Sequence, residues 1–88
     1  MVRQTVKILN RHGLHTRPAT VLVTLCSRFK SEIFLIYKNV RVNAKSILGV
    51  LVLAVEPNAE ITIEVDGPDE QEALAAIVEL VANKFNTE

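Results

Sequence analysis

The sequence predicts an α+β fold in which three helices cover one face of a four-stranded antiparallel sheet, in the order β-α-β-β-α-β-α. Residues Glu60 to Val65 alternate apolar and polar side chains, as a strand with one buried face does. Two longer segments, which follow Pro18 and Asp69, carry apolar residues at helical spacing. Lys38-Asn39 separates two short apolar runs, as the turn of a hairpin does. A sheet covered by helices on one face is the packing that suits these elements.

The first part of the chain reads as a strand, a loop and a helix. Thr5 to Leu9 alternates, and Asn10 to Leu14 forms a loop in which Gly13 can adopt a positive φ. Proline is favoured in the first turn of a helix, and the residue before it is biased away from helical geometry. We therefore expect the helix to begin near Pro18, with Arg17 at or just outside its boundary. Its buried stripe is predicted to be Ala19, Leu22, Val23, Cys26 and Phe29.

The rest of the chain supplies a hairpin, a short helix, a strand and a long helix. Glu32 to Tyr37 and Val40 to Val42 are the predicted hairpin strands, and Ser46 is the predicted N-cap of a helix that ends near Leu53. In the last strand we expect Ile61, Ile63 and Val65 to point inward and Glu60, Thr62 and Glu64 to point outward. Asp69 is predicted to cap the last helix, with Glu72 completing a capping box. The apolar stripe of that helix is predicted to be Leu74, Ile77, Val78, Val81 and Phe85.

Length and composition favour a single small domain over residues 1–88. The net charge is zero and aromatic residues make up only 5%, whereas a nucleic-acid binder usually carries a basic surplus. The longest apolar run, Ile47 to Val55, is less than half of the roughly 20 residues that a membrane span needs. The lone Cys26 excludes an internal disulfide, and no secretory-signal pattern begins the chain. We expect a cytoplasmic monomer that neither binds nucleic acid nor inserts into a membrane.

The segment Gly13-Leu14-His15-Thr16-Arg17-Pro18-Ala19-Thr20 carries the chemistry. His15 lies next to a predicted helix N-terminus, where free N–H groups and the helix dipole favour a bound phosphate. Thr16 and Arg17 belong to that helix start, and the Arg17 guanidinium can hold phosphoryl oxygens in a bidentate manner. A neutral imidazole in this position is a suitable phosphoryl acceptor. It is a poor metal site, because no second ligand stands at a suitable spacing.

This segment resembles the active-site motif of the HPr family, the histidine phosphocarriers of the bacterial phosphoenolpyruvate-dependent sugar phosphotransferase system. The similarity extends over essentially the whole chain. It implies an open-faced β-sandwich, phosphorylation of His15 through Nδ1 and assistance from Arg17. It also implies phosphorylated Enzyme I as the donor and IIA domains of sugar permeases as acceptors. Such a protein is a relay for a phosphoryl group and not a turnover enzyme, and no metal or organic cofactor is expected.

A second segment, Asn43 to Val50, resembles the region where many relatives are phosphorylated on a serine by HPr kinase/phosphorylase. Phosphate at the predicted N-cap Ser46 suits its own helix and adds negative charge to the docking face. The alternative is that Ser46 serves only as a cap. We expect Ile47 and Leu48 to be partly exposed. The predicted docking residues are Ile47, Leu48 and Leu51 together with Thr20, Val21 and Thr24 of the first long helix.

Two alternatives remain open within the family. One is the nitrogen-branch regulatory phosphocarrier NPr, which the stretch from Gly67 to Ala76 resembles, whereas Lys45-Ser46-Ile47 looks more like kinase-regulated HPr. The other is a signalling protein that acts through its Ser46 face alone.

His12 departs from the small or polar residue expected there. A solvated loop side chain is the simpler interpretation, and a contact with a partner or with His15 is the other.

Overall fold

All residues, 1–88, are described by the computed structural model, and the predicted element order is confirmed. The first strand begins and ends earlier than expected, and the first helix begins two residues before Pro18. A short 3₁₀ segment, Lys84–Asn86, follows the last helix. The elements are β1 (Val2–Lys7), α1 (Thr16–Cys26), β2 (Glu32–Tyr37), β3 (Val40–Asn43), α2 (Ile47–Val52), β4 (Glu60–Asp66) and α3 (Glu70–Ala82).

The four strands form one antiparallel sheet in the order β1-β4-β2-β3. The first and last strands of the chain are neighbours, with Thr5 opposite Thr62. The turn between β2 and β3 has Lys38 and Asn39 at φ values of 50° and 66°. Two residues in this left-handed conformation make the tight turn that matches the twist of a hairpin, as the sequence indicated.

The hydrophobic core lies between the sheet and the helices. Inward-facing residues of β2 and β4 alternate with outward-facing ones, so that Ile33, Leu35, Ile61, Ile63 and Val65 are buried. The helix stripes were predicted correctly in part. Ala73 and Leu80 are buried although they lay outside the predicted stripe, and the half-buried members of the two stripes are Val23, Phe29, Leu74 and Val78.

The other face of the sheet is open, and it buries one predicted outward residue. Glu64 does point away from the helices, but it is only 5% exposed. Arg3 of β1 and Arg41 of β3 pair with its carboxylate, with Arg41 Nε at 3.1 Å from Glu64 Oε1. The Arg41 guanidinium also lies 3.6 Å from the ring centroid of Phe34. A buried carboxylate needs such partners, because an unpaired buried charge is costly.

The predicted capping box at the last helix is wrong. Asp69 is the N-cap, but its side chain makes no bond to its own helix. The carboxylate accepts hydrogen bonds from the backbone N–H groups of Lys30 and Ser31, both at 3.0 Å, and from the Ser31 hydroxyl. Glu70, rather than Glu72, turns back and accepts from Gly67 N at 3.1 Å. Asp69 therefore joins the α1–β2 loop to α3, a long-range contact that no local motif reveals.

Candidate functional site

His15 is the N-cap residue of α1. Its backbone is extended (φ −86°, ψ −167°), and its carbonyl accepts the first helical hydrogen bond from Ala19 N at 2.9 Å. The side chain makes no capping hydrogen bond and is half-buried. The imidazole is therefore held at the start of the helix while its ring nitrogens remain unengaged by the protein.

At the N-terminus of α1 lie the groups that the sequence predicted to bind an anion. The backbone N–H groups of Thr16 and Arg17 donate to no backbone acceptor, and Pro18 has no N–H. The four ion pairs of the structure involve Met1, Arg3 and Arg41, so the exposed Arg17 guanidinium is uncommitted. The prediction that Arg17 lies at or outside the boundary is wrong. It stands in the first helical turn, because Pro18 is accommodated at the third helical position, where a missing N–H costs nothing.

The loop before His15 is fixed against a distant segment. Gly13 has φ +70°, and a Cβ at this position would lie 2.1 Å from the carbonyl oxygen of Val55. Leu14 is buried, and its N–H donates to the same Val55 oxygen at 3.0 Å. At the other end of the loop, the fully buried Asn10 donates from Nδ2 to the Lys84 carbonyl at 2.9 Å. The loop that precedes His15 is thus held by long-range hydrogen bonds at both of its ends.

An open groove of about 410 Å³ lies beside His15. Its lining brings His12 and His15 together, with ring centroids 5.7 Å apart and ring planes at 79°. Sequence reasoning did not identify the opposite wall, which the loop after α2 builds. Long-range contacts, such as the bond from Leu14 N to Val55 O, place that wall here, and no local signal could have found it. The lining residues are His12, Leu14, His15, Thr16, Leu51, Ala54, Val55, Glu56 and Pro57.

Ser46 is the N-cap of α2, as predicted. Its side-chain oxygen accepts a hydrogen bond from Gly49 N at 3.1 Å, and the residue is exposed. The expected exposure of Ile47 and Leu48 is also confirmed, at 37% and 73%, and Leu51 is half-buried. Val52, which sequence reasoning did not single out, is 73% exposed. Exposed apolar side chains therefore follow Ser46 along α2.

The outer face of α1 presents the other predicted docking residues. Thr20 and Thr24 are exposed and Val21 is half-buried. Each threonine hydroxyl donates to the carbonyl one helical turn back, Thr20 Oγ1 to Thr16 and Thr24 Oγ1 to Thr20, both at 2.8 Å. Their methyl groups and Val21 are thus left as a mildly apolar strip that leads away from the His15 end of the helix.

The comparisons with known proteins agree with this geometry. The family model described as the PTS HPr component phosphorylation site matches residues 2–83. The chain belongs to the HPr family. A curated phosphocarrier protein HPr from Treponema pallidum (strain Nichols) is 50% identical over 88 residues, which is 100% of each chain. This chain is therefore a phosphocarrier protein of the phosphotransferase system.

Two solved structures extend the comparison. An HPr from Thermoanaerobacter tengcongensis has a TM-score of 0.96 at 41% identity and covers 100% of this chain and 99% of its own. An HPr dimer from the same organism has a TM-score of 0.78 at 41% identity and covers 97% of this chain and 98% of its own. The open-faced sandwich is therefore the HPr fold.

Two further features of this HPr chain are its buried cysteine and the character of its helices. Cys26 is completely buried in α1, and this burial raises the pKa of its thiol to about 12. The thiol is a core group, as the helical stripe predicted, and is not available for redox chemistry at neutral pH. No helix of the chain combines the length and apolarity needed to cross a bilayer.

Proposed function

We propose that this HPr phosphocarrier accepts a phosphoryl group on His15 from phosphorylated Enzyme I and passes it to IIA domains of sugar permeases. The observation that carries the proposal is the unengaged His15 ring at the start of α1, beside two backbone N–H groups without backbone acceptors. Helix N-termini bind phosphate through such N–H groups and the helix dipole. The groups that receive the new negative charge are therefore in place before transfer.

The transfer needs few groups besides these. The lone pair of the His15 ring nitrogen, Nδ1 by resemblance to the family, attacks phosphorus. The bond between phosphorus and the donor breaks, and its electron pair leaves with the donor. The other ring nitrogen keeps its proton, so no separate base is required. Arg17 and the amides of Thr16 and Arg17 stabilise the phosphoryl oxygens, in keeping with a reaction that depends on positioning and electrostatics.

The partner surface is proposed to combine α1 and α2 on either side of His15. Its apolar part is formed by exposed or half-buried side chains, with Leu48 the most exposed at 73%. Exposed apolar side chains next to charged ones are typical of transient interfaces. The uncommitted Arg17 favours partners with an acidic rim. The proposed docking residues are Thr20, Val21, Thr24, Ile47, Leu48 and Leu51.

Ser46 is proposed as the site of regulation by an HPr kinase/phosphorylase. Its exposure and its position among the docking residues support this proposal. A phosphate there would lie at the N-terminus of α2 and would repel an acidic partner through its added charge. If no kinase modifies it, Ser46 has only the capping role that its bond to Gly49 N already performs.

The experiment is phosphoryl transfer from labelled phosphoenolpyruvate with purified Enzyme I, comparing the natural protein with His15→Ala. We expect an acid-labile, alkali-stable label on the natural protein and none on the variant. Ser46→Ala serves as the matched control and should be labelled like the natural protein. If the folded protein takes up no label, the proposal is contradicted, and signalling through the Ser46 face becomes the favoured function. The rate of phosphorylation is then compared with that obtained with a nitrogen-branch Enzyme I as the donor. The faster donor indicates whether the chain belongs to the sugar branch or is an NPr.

We also propose that the chain acts as a cytoplasmic monomer. Within one chain, β1 pairs with β4 over six residues, so the pairing of these two strands needs no second chain. The T. tengcongensis dimer also fits this chain less well than the other structure from that organism, with TM-scores of 0.78 and 0.96. Light scattering across a range of concentrations tests this. The mass of one chain throughout is expected, and the mass of two chains would contradict it.

A further inference from the structure

His12 is a second imidazole at the phosphorylation site. The ring centroids of His12 and His15 are 5.7 Å apart and the planes are nearly perpendicular, at 79°. The two residues are three apart in sequence, and the positive φ of Gly13 turns the chain between them. His12 is exposed, and its side chain makes no hydrogen bond or ion pair within the protein. Both rings line the same groove.

A phosphoryl group on His15 places three strong acceptor oxygens in this groove. The helix offers them only two free backbone N–H groups, since Pro18 has none. Apart from His15 itself, only His12 and Thr16 among the side chains that line the groove carry hydrogen-bond donors. The only carboxylate there is Glu56, which repels a phosphoryl dianion.

We propose that His12 donates a hydrogen bond to the phosphoryl group carried by His15 and so helps to hold it in the groove. The proposal rests on the phosphorylation of His15 proposed above. An imidazole donates from one ring nitrogen when neutral and from both when protonated. As an imidazolium it also adds a positive charge. The other charged groups of the site are Arg11 and Arg17 on the same segment and Glu56 on the opposite wall.

The competing explanation for the pair is an edge-to-face packing contact that only shapes the loop. The two explanations differ in what they predict for the phosphoryl group itself. A donor close to the phosphoryl oxygens stabilises the dianion and lowers the pH at which the group takes up a proton. A packing contact does not change that pH.

The experiment is a ³¹P NMR titration of phospho-His15 in the natural protein and in three variants. His12→Ala removes the donor, His12→Gln keeps a neutral donor, and Arg11→Ala removes a positive charge from the neighbouring residue as the matched control. We expect the midpoint of the phosphoryl titration to rise by about one pH unit in His12→Ala, in line with the loss of a nearby opposite charge. The rise should be smaller in His12→Gln and smallest in Arg11→Ala. Equal midpoints in the natural protein and His12→Ala would overturn the proposal.

The proteins are phosphorylated in parallel with Enzyme I and with phosphoramidate, a small phosphoryl donor. If Enzyme I fails to label the natural protein, the proposed function fails, while the phosphoramidate samples still test His12. His15→Ala must remain unlabelled by phosphoramidate, which shows that His12 is not itself the acceptor. Circular dichroism of each variant confirms that the fold is intact, as the exposure of His12 leads us to expect.

Discussion

Gly13 gives a direct test of how the loop before His15 is fixed. Replacing it by alanine places a Cβ at φ +70°, where a non-glycine residue costs about 1–3 kcal/mol. The same Cβ would lie 2.1 Å from Val55 O, so the loop must move. That movement breaks the bond from Leu14 N to Val55 O, which is worth about 0.5–1.5 kcal/mol. We therefore expect Gly13→Ala to lower the free energy of unfolding by about 1.5–4.5 kcal/mol.

Gly49 is the matched control, because the identical substitution should have the opposite effect there. Gly49 lies inside α2, and its added Cβ would meet its nearest atoms, Asn43 O and Ser46 Oγ, at 3.4 Å. The contact is close to ordinary van der Waals distance, so the gain in helix propensity should dominate. We expect Gly49→Ala to raise the free energy of unfolding by about 0.5–1 kcal/mol.

Urea unfolding followed by circular dichroism measures both effects. With a slope of about 1 kcal/mol/M for a chain of this size, the midpoint of Gly13→Ala should fall by about 1.5 M or more. The midpoint of Gly49→Ala should rise slightly. A midpoint for Gly13→Ala within about 0.5 M of the natural protein would refute the reasoning, because it would show that the loop accepts a side chain without leaving Val55.

Three further predictions concern groups outside the loop. Hydrogen bonds from the Ser31 hydroxyl and the Lys30 N–H lower the pKa of Asp69 from 3.8 to about 2. Since the folded pKa is the lower one, this stabilisation is complete above about pH 4 and is lost as the pH falls from there to about 2. When the urea unfolding midpoint is measured as a function of pH, its decrease below about pH 4 should be smaller in Asp69→Asn than in the natural protein. Cys26 should not react with Ellman's reagent at pH 8 until denaturant is added, because burial raises the pKa of its thiol to about 12. Ser46→Ala removes the acceptor for Gly49 N and should cost about 0.5–2 kcal/mol in urea unfolding.

The predictions for Asp69 and Ser46 each have a control variant within the chain. For Asp69, Asp66→Asn removes a 59% exposed carboxylate at the end of β4 and should change the urea midpoint at low pH much less than Asp69→Asn does. Rapid reaction of Cys26 in the native protein would show that α1 opens easily. For Ser46, Thr keeps a side-chain acceptor, so Ser46→Thr should recover most of the loss. Equal losses in the Ala and Thr variants would show that the cap contributes nothing.

The sequence predicted those parts of the fold whose signals are local. Alternation in Glu60 to Val65, the turn at Lys38-Asn39 and the cap at Ser46 each depend on residues within a few positions, and each was confirmed. His15 and Arg17 could be singled out for the same reason, since the donors of a helix start lie next to them. The start of α1 was placed too late because Pro18 was assigned to the first helical position, whereas it occupies the third.

The parts that could not be predicted depend on contacts between distant residues. The burial of Glu64 requires arginines on two other strands, and the role of Asp69 requires the loop at Ser31. The groove wall at Glu56 is brought to the site by the bond between Leu14 and Val55. In each case the local residue types also fit a simpler interpretation, an exposed carboxylate or a helix cap, and only the tertiary fold distinguishes the two.

The pairing of β1 with β4 has a consequence for how the protein is made. Thr5 and Thr62, which face each other across these strands, are 57 residues apart in sequence. During synthesis at about 5–20 residues per second, β1 must therefore wait several seconds for its only neighbour in the sheet to be synthesised. The Val55 oxygen that fixes the His15 loop also appears late. A nascent chain therefore carries its reactive histidine long before it carries a site, and the ability to hold a phosphoryl group arises with the last third of the polypeptide.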